Sequence, residues 1–492
     1  MDLQNTREAT TSARSEARGD VPRIFRGLDF VTEWLVFTVL IFSPWAFGTT
    51  ENWSITTVNR LNFLLGLVLV VKWICRAVTG YQPDRWASQE RLLARLWPWF
   101  VGVLTVFLLG YIGVSAWNSR AIYHLQEQRF EYLEYVPWLP HSYDQAKSWE
   151  RFYRCLAAAC FFWALRDWLL IKTSRDRSGE HGSDRVSERV RRLLWVLCIN
   201  GTLIAVEGLL QRLTHTNKLL WLVQPEINAW NSGQFGPYAY RSNAAQLFNM
   251  IWPATFGFFL SLNRYYRRGL GSGSETILVL CCAILAACPF LTSSRLGAAV
   301  SAGLMISSLG IIFVRRGFKK WTSTAIWLFF FSSVLAGGLW LNWDDLKERF
   351  MKRAGDETSG RSEIYANAKK IVADYPVFGV GPGAFGAVYQ LYREDSSQYW
   401  HAYAHDDWLE ARATLGWVGF AAILFLLTFA GSHWFIGSGV PLPSDLAIFI
   451  GLGCLGVLLT ALGDLPFQIY SLLLVFLAFL AVLSSGVRPR RN

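Results

Sequence analysis

Uninterrupted apolar runs of about 18 to 22 residues recur along this chain, the length a helix needs to cross roughly 30 Å of hydrocarbon. Inside a bilayer no water satisfies the backbone, so only helices and closed barrels can span it. The polar/apolar alternation of barrel strands is absent. Twelve helical spans are predicted, over residues 28–48, 61–78, 97–117, 152–171, 193–213, 244–262, 276–291, 296–314, 321–341, 417–435, 447–462 and 469–483. With 52% hydrophobic and only 17% charged residues, the 492-residue chain reads as an all-α polytopic membrane protein, not a string of soluble domains.

A formal charge of +11 would suit a nucleic-acid binder, but its distribution does not. Lys and Arg sit in short clusters at the ends of apolar runs, as the positive-inside rule expects. With a cytoplasmic N-terminus, the clusters between Arg76 and Arg95, Lys172 and Arg192, Arg264 and Arg268, Arg315 and Lys320, and Arg488 and Arg491 all fall inside. Loops 118–150 and 215–243, the TSSR turn and one large loop, 342–413, then face outward. The expected division is a cytoplasmic tail over 1–27, nine spans over 28–341, the large loop over 342–413, and three spans with a cytoplasmic tail over 414–492. Residues 1–20 mix both signs and lack the order of a cleavable signal, so 28–48 is read as a retained first span. Cys75, Cys155, Cys160, Cys198, Cys281, Cys282, Cys288 and Cys454 fall within the spans, form no C-x-x-C, and read as small packing residues.

The polar stretch 361–416 is too charged to cross a bilayer, yet it concentrates groups capable of chemistry. Arg361 opens the amphipathic segment RSEIYANAKKIVADYP, with Ile364, Ala368 and Ile371 at helical spacing and Pro376 as the stop. At a helix start, Arg361 would add to the positive end of the dipole and favour an anion. The same helix could simply lie in the membrane interface, with Lys369 and Lys370 toward headgroups. Gly381, Gly383 and Gly386 spell G-x-G-x-x-G, but without a βαβ unit they read as turn and packing glycines. His401 and His405 share a face if their segment is helical. Three roles compete for them: a metal site completed by Asp406 or Asp407, a structural role, and general-base work on a hydroxyl with Asp407 orienting the imidazole or the acceptor. Arg241 and Arg295 sit at the outer ends of the sixth and eighth spans. They suit a phosphate clamp, because the guanidinium fork grips phosphate and keeps its charge; headgroup snorkelling is the bland alternative. Glu207 lies near the outer end of the fifth span with Arg212 close by; it could pair structurally or help bind the acceptor, and pairing is the favoured expectation.

At these residues the chain resembles the O-antigen ligase and polymerase family of bacterial envelopes, most strongly over about 287–425. The resemblance rests on TSSRLGA, on R-x-x-x-Y-x-x-A at Arg361, on YPVFGVGPGAF and on HAYAHDDWLEARATLGWVG. Upstream, YVPWLPHSYD and FGPYAYRSNAAQLFNMIWP look like family segments. It implies a metal-independent, cofactor-free glycosyltransferase of about twelve spans in the bacterial inner membrane, with 342–413 as a large periplasmic loop containing amphipathic helices. The implied donor is a glycan on undecaprenyl pyrophosphate, and the acceptor is a lipid A–core sugar for a ligase or another lipid-linked glycan for a polymerase. Carried over by motif, His405 matches the family's essential histidine, and Arg241 and Arg295 match arginines thought to hold the donor pyrophosphate. Asn243 belongs to the same segment, although Ser242 separates it from Arg241 where ligases often have Arg-Asn adjacent. Asp406 stands where an Asn commonly follows the histidine.

The chemistry agrees with the residues. Breaking a sugar–pyrophosphate bond builds negative charge on the leaving group, which fixed arginines stabilise without a metal. A base that deprotonates the incoming hydroxyl on the opposite face would invert the anomeric carbon. A transporter for the same lipids is the reading from another class. It would call for several ionisable residues at bilayer depth and for internal repeats, of which the sequence offers few and none respectively.

Overall fold

The computed structural model describes residues 22–84, 92–177, 186–225, 233–266, 273–316, 321–341, 347, 357–394, 400, 402–436 and 439–487. Each predicted span overlaps a helix. Nine precede the large loop: α1 (Arg23–Trp45), α2 (Asn52–Thr79), α3 (Leu92–Trp117), α4 (Gln145–Leu169), α5 (Glu188–Leu213), α6 (Arg241–Tyr266), α7 (Ile277–Leu291), α8 (Arg295–Arg316) and α9 (Trp321–Leu341). The loop itself holds α10 (Glu357–Asp374) and the short α11 (Phe385–Tyr389). α12 (Asp407–Ile436), α13 (Ser444–Thr460) and α14 (Tyr470–Ser485) follow.

Among the described residues, six helices are long and apolar enough to cross a membrane: Asn52–Thr79, Leu96–Trp117, Glu188–Leu213, Arg295–Arg315, Thr324–Leu341 and Asp407–Phe435. α7, α13 and α14 are apolar but only 15, 17 and 16 residues long. α1, α4 and α6 have the length but carry polar groups, and on α4 and α6 several of these are turned into the protein. Arg154, Arg166 and Asp167 on α4 and Asn243, Gln246 and Asn249 on α6 are all buried. Hydropathy averaged around a helix cannot register such a polar inner face.

α6 runs through the middle of the bundle, touching α5, α7, α8, α13 and α14, and its Phe248, Trp252, Phe256 and Phe258 are fully buried. Its neighbours come close because small residues line the contacts. A Cβ on Gly297 of α8 would lie 2.5 Å from that of Ala245, and one on Gly453 of α13 would lie 2.5 Å from the Met250 carbonyl oxygen.

Several boundaries differ from expectation. α2 starts at Asn52, so it absorbs most of the loop expected at its N-terminal end. α12 starts at Asp407 rather than near 417, because its polar first turns are sheltered by the large loop; it kinks at Gly416 (φ 61°, ψ −166°). There a Cβ would meet the Val377 carbonyl oxygen at 2.1 Å, so only glycine fits. The fold is also not purely helical. Loop 118–144 contains an antiparallel hairpin, Ala121–His124 with Arg129–Tyr132.

The glycine-rich segment runs alongside α12 and bonds to it through backbone: Val380 to Ala413 (2.9 Å), Gly381 to Thr414 (2.9 Å) and Trp417 to Pro376 (2.9 Å). Gly379, Gly381 and Gly383 all have positive φ. They serve turns and close approach, with the Gly381 position pressed on Ser142 and that of Gly383 on Lys147 and Arg151. Ile364, Ala368 and Ile371 of α10 form a separate small core with Tyr143, Val380, Phe385, Val388 and Ala404. The large loop is thus a packed cap.

Described Lys and Arg residues at the opposite helix ends pair with acids. Lys72 reaches Asp29 (2.9 Å) and Asp167 (3.2 Å), Arg76 grips Asp167 with two nitrogens, and Arg189 bonds Asp29. This network clips α1, α2, α4 and α5 together. Arg264 and Arg315 share Asp445, at 2.6 and 3.0 Å.

Candidate active site

Two helices begin side by side at the cap end. Arg241 is the first residue of α6 and Arg295 the first of α8. Between them the Ser242 and Ser294 hydroxyls bond at 2.8 Å. Each start is held by backbone: Arg241 N–H donates to Gly233 O (2.7 Å), and Ala298 N–H donates to Ser294 O (2.8 Å). Free N–H groups and the helix dipole make such ends attractive to anions, and here each carries a guanidinium. The Ser242 that interrupts Arg241 and Asn243 is therefore the latch between the two starts. Asn243 is buried, and its Oδ1 has no hydrogen-bond partner among the described residues.

Arg361 reaches the same place from α10. It donates to Gly463 O (2.8 Å) in the turn between α13 and α14. Burial works against its charge, but Tyr240, Asp464 and Tyr365 around it hold the guanidinium above its ordinary value. α10 begins at Glu357, so Arg361 lies a turn inside the helix. It therefore does not stand at the positive end of the helix dipole as expected; its position depends on the groups it touches. Asp464 is 1% exposed, and burial pushes its carboxyl up against the opposing pull of Ser242, Arg361 and Gln246. Tyr240, next to Arg241, is raised by burial and then by Asp464. One carboxyl thus sits among Ser242, Tyr240 and Arg361, joining the elements that carry Arg241 and Arg361.

His405 completes the group through Tyr365, whose hydroxyl bonds the Arg361 guanidinium and donates to the His405 carbonyl oxygen (3.1 Å). Residues 402–406 are not helical, so the shared helical face expected for His401 and His405 does not form; α12 starts only at Asp407. His401 itself lies outside the described residues. His405 instead adopts φ +54°, a left-handed conformation that costs a residue with a Cβ roughly 1–2 kcal/mol. The backbone is held on either side of it. Ala404 N–H donates to Glu410 Oε2 (2.9 Å), and Tyr365 holds the His405 carbonyl. Glu410 is 5% exposed and accepts a second bond from Gln468 Nε2 (3.0 Å). Asp406 caps α12 by accepting from Leu409 N–H (2.9 Å), and burial raises its carboxyl.

Asp407 was expected to orient the imidazole or an acceptor. Its Oδ2 is taken by the Phe467 amide (2.7 Å) and its own N–H by Ala461 O (2.9 Å), so these bonds fasten the α13–α14 turn to the start of α12. The expected pairing of Glu207 with Arg212 is also not formed. Neither Glu207 carboxyl oxygen has a hydrogen-bond partner among the described residues, and Arg212 donates to Thr292 O (3.4 Å). Sequence reasoning missed Asp464, Tyr240, Tyr365 and Glu410. The available signal was GDLPFQ, an acid in a short turn between two apolar runs.

No curated protein matches the chain. Residues 280–424 match the family model described as O-antigen ligase, a region that includes Arg295, Arg361 and His405 but leaves out Arg241 and Asp464. The helical architecture and the apolar helices agree with this match, and over residues 280–424 the chain is similar to the O-antigen ligase family.

Proposed function

We propose that this protein transfers a glycan from undecaprenyl pyrophosphate to an acceptor hydroxyl, without a metal, at the periplasmic face of the bacterial inner membrane. The acceptor is a lipid A–core sugar or another surface glycan; a second lipid-linked glycan would make the same centre a polymerase. Twelve spans with both ends cytoplasmic belong to the same reading. What supports it is that the ion pairs of Lys72 and of Arg264 lie at helix ends opposite those that carry Arg241, Arg295 and the His405 turn.

The observation that carries the reading is the Ser242–Ser294 bond, which sets two arginine-bearing helix starts against each other. A diphosphate placed there meets two guanidinium groups and two positive dipole ends, with Arg361 across the Asp464 junction. His405 takes the proton of the attacking hydroxyl as the sugar–phosphate bond breaks, and the diphosphate leaves with its charge held. Attack opposite the leaving group inverts the anomeric carbon.

Charge-assisted bonds to phosphate are each worth about 1.5–3 kcal/mol. Arg241→Ala and Arg295→Ala should therefore each weaken binding of undecaprenyl pyrophosphate to the purified protein by about tenfold to a hundredfold, with Lys variants intermediate. Unchanged affinity in both alanine variants would remove the donor site from this location.

A further inference from the structure

A small cavity of about 120 Å³ opens at the outer end of α5, lined by Gln211, Arg212, His215, Thr216, Asn217 and Gln234. Every lining residue is polar, which suits neither an acyl chain nor a packing defect. The volume equals about four waters, enough to seat part of one pyranose ring.

Two of its walls lead directly to the arginines of the proposed donor site. Gln234 follows Gly233, whose carbonyl accepts the Arg241 N–H at 2.7 Å. Arg212 donates to Thr292 O (3.4 Å), in the turn that delivers Arg295. The cavity therefore adjoins the backbone of both helix starts.

Its polar groups divide into builders and one buried, unmet acceptor. Gln211 is fully used: its Nε2 donates to Lys218 O (3.1 Å) and Gly236 O (3.4 Å), and its Oε1 accepts from Gly236 N–H (2.8 Å). Gln234 is not. It is 3% exposed, its Nε2 reaches Asn217 Oδ1 only at 3.5 Å, and its buried Oε1 has no hydrogen-bond partner among the described residues. A buried acceptor left unmet costs about 1–3 kcal/mol, and a ligand hydroxyl would supply the missing donor.

We propose that this cavity is a subsite for sugar hydroxyls and takes the first sugar of the donor, the one joined to the diphosphate. This rests on the functional reading above: with the diphosphate across Arg241 and Arg295, the attached sugar is the group that falls beside Gln234.

The test compares two probes on the purified full-length chain: undecaprenyl pyrophosphate alone, and the same lipid carrying a single hexose. The wild type should bind the hexose-bearing lipid about tenfold more tightly, and Gln234→Ala should erase that gain while binding the bare lipid as before. Asn217→Ala, at an exposed position that tolerates change, should lose about threefold of the same gain. No gain from the hexose in the wild type, or equal weakening of both probes by Gln234→Ala, overturns the subsite and leaves the diphosphate site standing. A Gln234→Ala effect confined to the KM of the acceptor assigns the cavity to the acceptor and overturns the donor assignment. Failure of both lipids to bind the wild type overturns the functional reading and the subsite together.

Discussion

His405→Ala should abolish glycan transfer by the purified protein, with a loss of about 10³-fold, while binding of undecaprenyl pyrophosphate stays within about threefold of wild type. A positioned proton acceptor contributes roughly 10² to 10⁴ in rate, and the imidazole is assigned no bond to the donor's diphosphate. Rate and binding should therefore separate. The comparison uses single-turnover transfer for rate and equilibrium binding for affinity. A variant that keeps more than about a tenth of the wild-type rate would show that the imidazole is not the proton acceptor. One that loses donor binding in parallel would show that the ring belongs to the anion site.

The second large effect is expected at Glu410, a residue that need not touch either substrate. Its Oε2 holds the Ala404 amide and so pins one side of His405, whose left-handed backbone would otherwise relax. Misplacing a catalytic group by about 1 Å can cost about 10²-fold, which is the loss expected for Glu410→Ala in kcat with KM nearly unchanged. Glu410→Gln keeps an oxygen to accept the Ala404 amide. Its new amide can donate to Gln468 Oε1, a buried acceptor with no hydrogen-bond partner among the described residues. That variant should recover at least a third of wild-type turnover with an unchanged pH profile. If Glu410→Gln is as inactive as Glu410→Ala, the carboxylate itself takes part in proton transfer and the clamp is not its role.

Much of the architecture was legible because bilayer physics is restrictive. Among the described residues, apolar runs located every long helix outside the large loop, and the Lys and Arg clusters marked helix ends that carry ion pairs. What the clusters do there was not legible. Lys72, Arg76 and Arg189 are consumed by Asp29 and Asp167, because acids distant in sequence pack against them. Hydropathy also under-read α4 and α6, whose inward polar residues lower the average of helices that the bundle shelters.

At the candidate site, Arg241, Arg295, Arg361 and His405 were legible as types in outward loops, and the structure brings them to one region. The bonds that bring them there were not. Ser242 looked like a departure from a family pattern and is the latch to Ser294. Asp464 lay in a turn with no motif around it, yet it sits among the arginines because the α13–α14 turn folds over the start of α12. The helical face assumed for the two histidines failed for a local reason. Asp406 caps α12, so the helix starts after His405 and leaves it in the preceding turn.

The most direct measurement is transfer by the purified wild-type chain from undecaprenyl pyrophosphate–linked glycan in the presence of EDTA, following released lipid diphosphate and the configuration of the new bond. The account predicts one undecaprenyl pyrophosphate released per bond formed, inverted configuration at the anomeric carbon, and a rate that EDTA does not change. Retained configuration, or an EDTA block that zinc reverses, would contradict it.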